Sequence, residues 1–131
     1  MKLRWLGHSC FELTLPGGAV VTDPYDDTVG YPPLHMRADA ILSSHGHFDH
    51  NCFQAVDGEP AILNTPGIRE VCGARITAVP AFHDDVKGAK RGENLIHLIE
   101  HPRATIIRPI VVEGELYEGE TVGDISRNDD Q

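Results

Sequence analysis

Residues 45–50 read His-Gly-His-Phe-Asp-His, directly after the short apolar run Ala38–Ser43. No other feature constrains this chain so tightly. An apolar run between polar flanks reads as a strand buried on both faces. In extended chain, His45 and His47 at i and i+2 leave the same face, so two imidazoles can grip one ion. Asp49 and His50 follow where the chain turns toward a helix. They point elsewhere, near enough to hold a second ion. Imidazole nitrogens with a carboxylate oxygen suit zinc first, then manganese or iron, and need no thiolate. Gly46 lets the backbone turn closely. A strand delivers these groups at its C-terminal end, where α/β folds place their sites. The plain alternative is a histidine-rich surface turn, which leaves the adjacent buried strand unexplained.

The rest of the chain reads as a layered domain. Leu3 and Trp5 alternate with Lys2 and Arg4, which gives a strand one wet and one buried face. Phe11–Leu15 and Ala19–Thr22 form a hairpin around Pro16-Gly17-Gly18. Asp23-Pro24 ends it, and residues 24–37 read as a loop. Phe53–Val56 is a short helix and Pro60–Asn64 a strand. Pro66-Gly67 opens a helix over Ile68–Cys72, closed by Gly73. Ala74–Pro80 and Asn94–Glu100 are strands flanking a polar loop, Asp84–Glu93. Arg103–Val112 reads as a last strand. Hairpin, then alternating strand and short helix, then strands, is an α/β or α+β layered order.

The chain has 131 residues, one domain's worth, with 40% hydrophobic residues and a net charge of −9. A domain over 1–112 and an acidic tail over 113–131 are expected. The tail holds seven acids and one base, Arg127, so it carries −6 of the −9 and reads as solvated or disordered. Phosphate binding wants the opposite sign, which disfavours a nucleic-acid partner. No apolar run suits a membrane span and no signal peptide is visible, so a cytoplasmic chain is expected. Cys10, Cys52 and Cys72 make no disulfide framework and read as small buried hydrophobes.

The hexapeptide resembles the signature of the metallo-β-lactamase fold superfamily. Three flanking stretches strengthen the likeness: Trp5-Leu6-Gly7-His8, Thr22-Asp23-Pro24-Tyr25, and Val79-Pro80-Ala81-Phe82-His83-Asp84 with Gly88, Arg91-Gly92 and Asn94. Together they look like the metal-dependent hydrolase branch that includes ascorbate-6-phosphate lactonase-like proteins. The resemblance runs from residue 1 to about residue 100. It implies an αββα sandwich with metals at one edge of two packed sheets, here the N-terminal half plus a short extra segment. It implies a first metal site from His45, His47 and His83 and a second to which Asp49 and His50 contribute. Asp23 would hold a ligand histidine or the motif loop by a hydrogen bond, or be a turn residue before proline.

The sequence departs from the family after Glu100. The family's C-terminal histidine ligand is not found, and Gly123-Asp124 has the form of the metal-bridging motif but lies in the acidic tail. One or two divalent ions are therefore expected. The implied function is hydrolysis of a small ester, lactone or phosphoester by a metal-activated water, with Asp49 orienting the nucleophile or accepting its proton. The alternative is a non-catalytic or partner-dependent metal-binding half-domain. A missing half would expose an apolar sheet edge, so a second copy or a partner chain is expected to cover it. His8 reads as a core or surface histidine rather than a cleft residue. His97 reads as a residue of strand alternation, and His35 and His101 match no ligand position. Lys87, Lys90 and Arg91 read as a solvated basic loop, with contact to an anionic substrate as the alternative.

Overall fold

A computed structural model describes residues 1–100. The expected strand Arg103–Val112, the acidic tail, His101 and Asp124 lie outside the described residues. The first sheet begins with β1 (Lys2–Gly7), β2 (Cys10–Leu15) and β3 (Gly18–Thr22), paired antiparallel in sequence order. The chain then makes a single 3-10 turn at Asp27–Val29 and a short β4 (Met36–Arg37) inside the segment read as loop. It enters β5 (Ala40–Leu42), which runs parallel to β3. After the histidine motif come a 3-10 turn at Phe53–Ala55, β6 (Val56–Asp57) beside β4, and β7 (Ala61–Leu63) parallel to β5. The five-stranded sheet thus has the order β1-β2-β3-β5-β7. The second sheet, β10-β9-β8, is antiparallel and built from β8 (Gly67–Val71), β9 (Ala74–Phe82) and β10 (Glu93–Glu100).

Strand alternation explains the two cores. Val20, Ala40 and Leu42 face one way and join Leu13, Leu15 and Leu63 against Ala74 and Ile76 of the second sheet. Val21 and Ile41 face the other way and pack on Cys10, Tyr25, Met36 and Val56. The central β5 is therefore buried on both faces, as its apolar run demands. Each such side chain removed from water contributes on the order of 1.5–3 kcal/mol.

Two expectations are corrected. Ile68–Cys72 is not a helix: residues up to Val71 form β8, and Cys72-Gly73 is a two-residue hairpin turn with φ of 53° and 74°. Two successive positive φ values match the twist of an antiparallel pair, and five residues gain too little from helix formation to compete. Among the described residues there is also no α-helix. The strand–helix alternation is replaced by the two 3-10 turns and the β4–β6 pair, which cover the outer face of the first sheet. No helix among the described residues is long and apolar enough to cross a membrane.

Candidate metal centre

Four chain segments leave their strands at one edge of the two sheets. The β1–β2 turn carries His8, the end of β3 carries Asp23, the loop after β5 carries the motif, and the end of β9 carries His83. His45, His47 and His83 each offer a ring nitrogen, all within 4.8 Å of one another. Their ring centroids lie 4.5 to 5.9 Å apart. His8, Asp49 and His50 form a second group of the same tightness. The two groups adjoin, since the His45 and His50 rings are 4.2 Å apart.

His45 and His47 do not converge in the way expected. The chain stops being extended after Leu42 and bends through Ser44–His47, so proximity comes from a folded loop rather than strand alternation. The helix that follows His50 is a single 3-10 turn at Phe53–Ala55, and before it the His50 backbone N–H closes a turn by donating to the His47 carbonyl at 2.9 Å. The Ser43 hydroxyl lies 3.1 Å from the carbonyls of both His45 and His50 and donates toward them. Asn51 Nδ2 donates to the Gly46 carbonyl at 3.0 Å. The Leu95 N–H donates to the Ser44 carbonyl at 2.8 Å and so ties the motif loop to the second sheet.

Asp23 organises the rings from behind. Its carboxylate accepts the Ser44 N–H at 2.6 Å and the Ser44 hydroxyl at 2.9 Å. A hydroxyl has one proton, and a carboxylate can only accept it. The Ser44 oxygen, 2.8 Å from His45 Nδ1, is then the acceptor of that ring's N–H. His45 is thereby held with Nε2 unprotonated and free to ligate. Asp23 Oδ2 also lies 3.2 Å from His50 Nδ1, a charge contact out of line for a hydrogen bond. Asp23 itself has φ of 39°, the left-handed strain that clusters at functional sites. Ser44 was missed in the sequence because one serine after an apolar run carries no signal of its own.

The charges agree with this arrangement. Burial lowers the His45 pKa, helped by His50, His47 and His83 and opposed by Asp23. It stays neutral, the form a metal needs. Burial pushes the Asp49 carboxyl up, but its own backbone N–H, the His50 charge and the His8 hydrogen bond outweigh that and leave it below the usual range. Cys10, fully buried, is pushed up to about 12 by burial, Asp23 and Glu12, so its thiol is inert. His83 is set by its loop. Its N–H donates to the Gly92 carbonyl at 3.1 Å, while Asp84 accepts the backbone N–H groups of Val86, Gly88, Lys90 and Arg91. The side chains of Lys87, Lys90 and Arg91 are exposed.

The donor set fits a divalent cation. The His45 ring packs edge to face on those of His47 and His83, and the three offer ring nitrogens within 4.8 Å of one another with no carboxylate among them, a donor set that suits one ion with an open position. His8 is corrected here. It is neither a core nor an isolated surface residue but stands 3.1 Å from Asp49 Oδ2 at the same edge. The sequence hid this because 41 positions separate the pair.

A two-sheet β fold with a paired histidine–carboxylate centre at one edge is that of the metallo-β-lactamases. The family model described as "Beta-lactamase superfamily domain" matches residues 2–121, and the chain belongs to that family. A crystal structure from Thermotoga maritima, described as a Zn-dependent hydrolase of the metallo-β-lactamase superfamily, is similar at 33% identity and a TM-score of 0.58. The match covers 76% of this chain and 44% of that one. A UPF0173 metal-dependent hydrolase of Methanopyrus kandleri is 29% identical over 109 residues, which is 63% of this chain and 47% of the relative. A UPF0173 protein of Pyrococcus abyssi is 40% identical over 84 residues, 64% of this chain and 36% of the relative. The chain thus spans less than half the length of these two curated relatives.

Proposed function

We propose that this chain carries the metal-holding half of a hydrolase acting on a small ester, lactone or phosphoester. The convergence of His45, His47 and His83 from two different sheets supports this reading more than any other observation. These three would hold one divalent ion, zinc being the best match to their chemistry, and Asp49 and His50 would contribute to a second. Bound there, the ions would polarise the substrate's oxygen and supply an attacking water at neutral pH. The chain's own part is positional. Asp23 fixes His45 through Ser44 and faces His50, and Asp49, held ionised, orients the nucleophile or takes its proton. Phe48, 62% exposed within the motif, and Trp5, 58% exposed near His8, offer an apolar wall to a substrate.

A partner-dependent reading is favoured by one further observation. Val79, Ile96, Leu98 and Ile68 lie on the outward face of the second sheet, at 39%, 53%, 53% and 62% exposure. That apolar stripe calls for a cover, from a second copy or another chain. One assay separates the two readings. The purified protein is loaded with zinc and its bound ions are counted, then turnover of a generic ester and a generic phosphodiester is measured. Turnover lost in His47→Ala supports the enzyme. Ions bound without turnover by the 131-residue chain, restored on mixing with a partner, support the half-domain. Absence of bound ions defeats both.

A further inference from the structure

We infer that His8 is the third ligand of the second metal site, beside Asp49 and His50, so that the described hundred residues close both sites without a further histidine. This rests on the proposed metal-dependent function and adds to it the ligand set. Asp49 Oδ2 lies 3.1 Å from His8 Nε2 and 3.4 Å from His50 Nε2. Ligand atoms bound at about 2.0–2.1 Å to one tetrahedral ion lie about 3.3 Å apart, so the three groups already stand at the spacing one such ion needs, and the His8–Asp49 hydrogen bond is the contact it would replace.

The backbone is built for this placement. His8 has φ of 48°, a left-handed value that costs a non-glycine residue on the order of 1 kcal/mol or more. Its carbonyl is pinned by Trp5 Nε1–H at 2.9 Å. The preceding Gly7, with φ of 120°, is wedged so closely that a Cβ there would meet Tyr25 and Tyr31 at 2.8 Å. Tyr25 in turn donates to the Leu6 carbonyl at 2.7 Å. A solvent-facing histidine needs none of this support. Here the turn is fixed from three sides, and the imidazole it presents meets Asp49 and the His50 ring, 4.9 Å away.

The test counts ions on the full chain. Metal-free protein is titrated with zinc, and bound metal is measured after gel filtration, for wild type, His8→Gly and His47→Ala. Glycine relieves the left-handed backbone while removing the ring, so folding is preserved, and circular dichroism checks it. The expected result is two ions in wild type and one in His8→Gly, with the second equivalent weakened at least about tenfold. In His47→Ala the other ion is weakened instead. Two tight ions in His8→Gly, or a single ion in wild type that His8→Gly leaves unchanged, overturns the assignment while leaving the first site standing. No ion in wild type overturns the metal-dependent reading itself. A second measurement needs no variant. With cadmium-113 as the probe, the second equivalent must show scalar coupling to the His8 imidazole nitrogen, and coupling confined to His45, His47 and His83 overturns the proposal.

Discussion

The Ser44 hydroxyl has one proton and two polar neighbours, and its place between Asp23 and His45 sets the tautomer of a ring that, in the proposed site, would ligate through Nε2. Removing the hydroxyl leaves His45 free to rotate or to protonate the wrong nitrogen. Ser44→Ala is therefore expected to weaken the first ion by about ten- to a hundredfold, with the fold intact. A zinc competition titration beside a thermal melt of the metal-free form checks this, and an unchanged affinity refutes the relay. His97 gives a second prediction at this scale. It faces inward on β10 opposite Ala78, and its buried Nε2 has no partner among the described residues. Burial holds its pKa below the ordinary 6.5, against the opposing pull of the Leu63 carbonyl and Asp23. The unfolded chain then takes up the proton first as pH falls through 6.5, so the unfolded state binds more protons and folding loses stability on the acid side. Above 6.5 the contribution is fully present. His97→Leu removes both the titration and the orphaned nitrogen. Its urea midpoint, measured in chelator, is expected to vary less than that of wild type below this pH.

The β8–β9 hairpin shows at the level of elements where the sequence is readable and where it is not. Ala40–Leu42 is legible because a run of three apolar side chains, all fully buried, has no reading except a central strand. The motif is legible because six adjacent residues carry the chemistry. Gly67–Val71 is not, because its partner strand decides its form. The Cys72-Gly73 turn lacks the Asn-Gly or Asp-Gly that announces a hairpin, and its cysteine packs against the core. Asp23 and His8 are only half legible, and Ser44 not at all, for the same reason: their roles exist between strands, and spacing along the chain does not encode them. The turn yields a clean test. A Cβ at Gly73 would meet nothing within 4 Å, so Gly73→Ala carries no steric penalty beyond its φ of 74°. The variant is expected to lose about 1–2 kcal/mol, seen as a lower denaturation midpoint with an unchanged slope. A neutral result would mean the turn is not left-handed at this residue.

Among the described residues the two sheets are unequally anchored, and the candidate metal centre sits where the weaker one needs support. The shared core takes six buried side chains from the first sheet, Leu13, Leu15, Val20, Ala40, Leu42 and Leu63, and two from the second, Ala74 and Ile76, with Val71, Cys72 and Ile99 partly buried against them. Beside them, the Leu95 to Ser44 hydrogen bond is a further tie between the sheets at the site's edge. In the proposed reading, an ion held by His45 and His47 on one side and by His83 on the other would clamp β9 to the motif loop, with bonds far stiffer than side-chain contacts. Because it binds the folded state alone, free metal at about a hundredfold over its dissociation constant adds about 2.7 kcal/mol. Chelation is therefore expected to lower the melting temperature and to act unevenly. Amide hydrogen exchange should quicken most in β9 and β10, whose attachment depends on the clamp, and least in β2, β3 and β5, which are held by their own core. Equal quickening in both sheets would show that the ion stabilises the fold as one unit, and no quickening would show that the three histidines do not share it. His83→Ala should reproduce the chelated pattern with metal present, because it releases β9 and leaves two of the three rings in place on the first sheet.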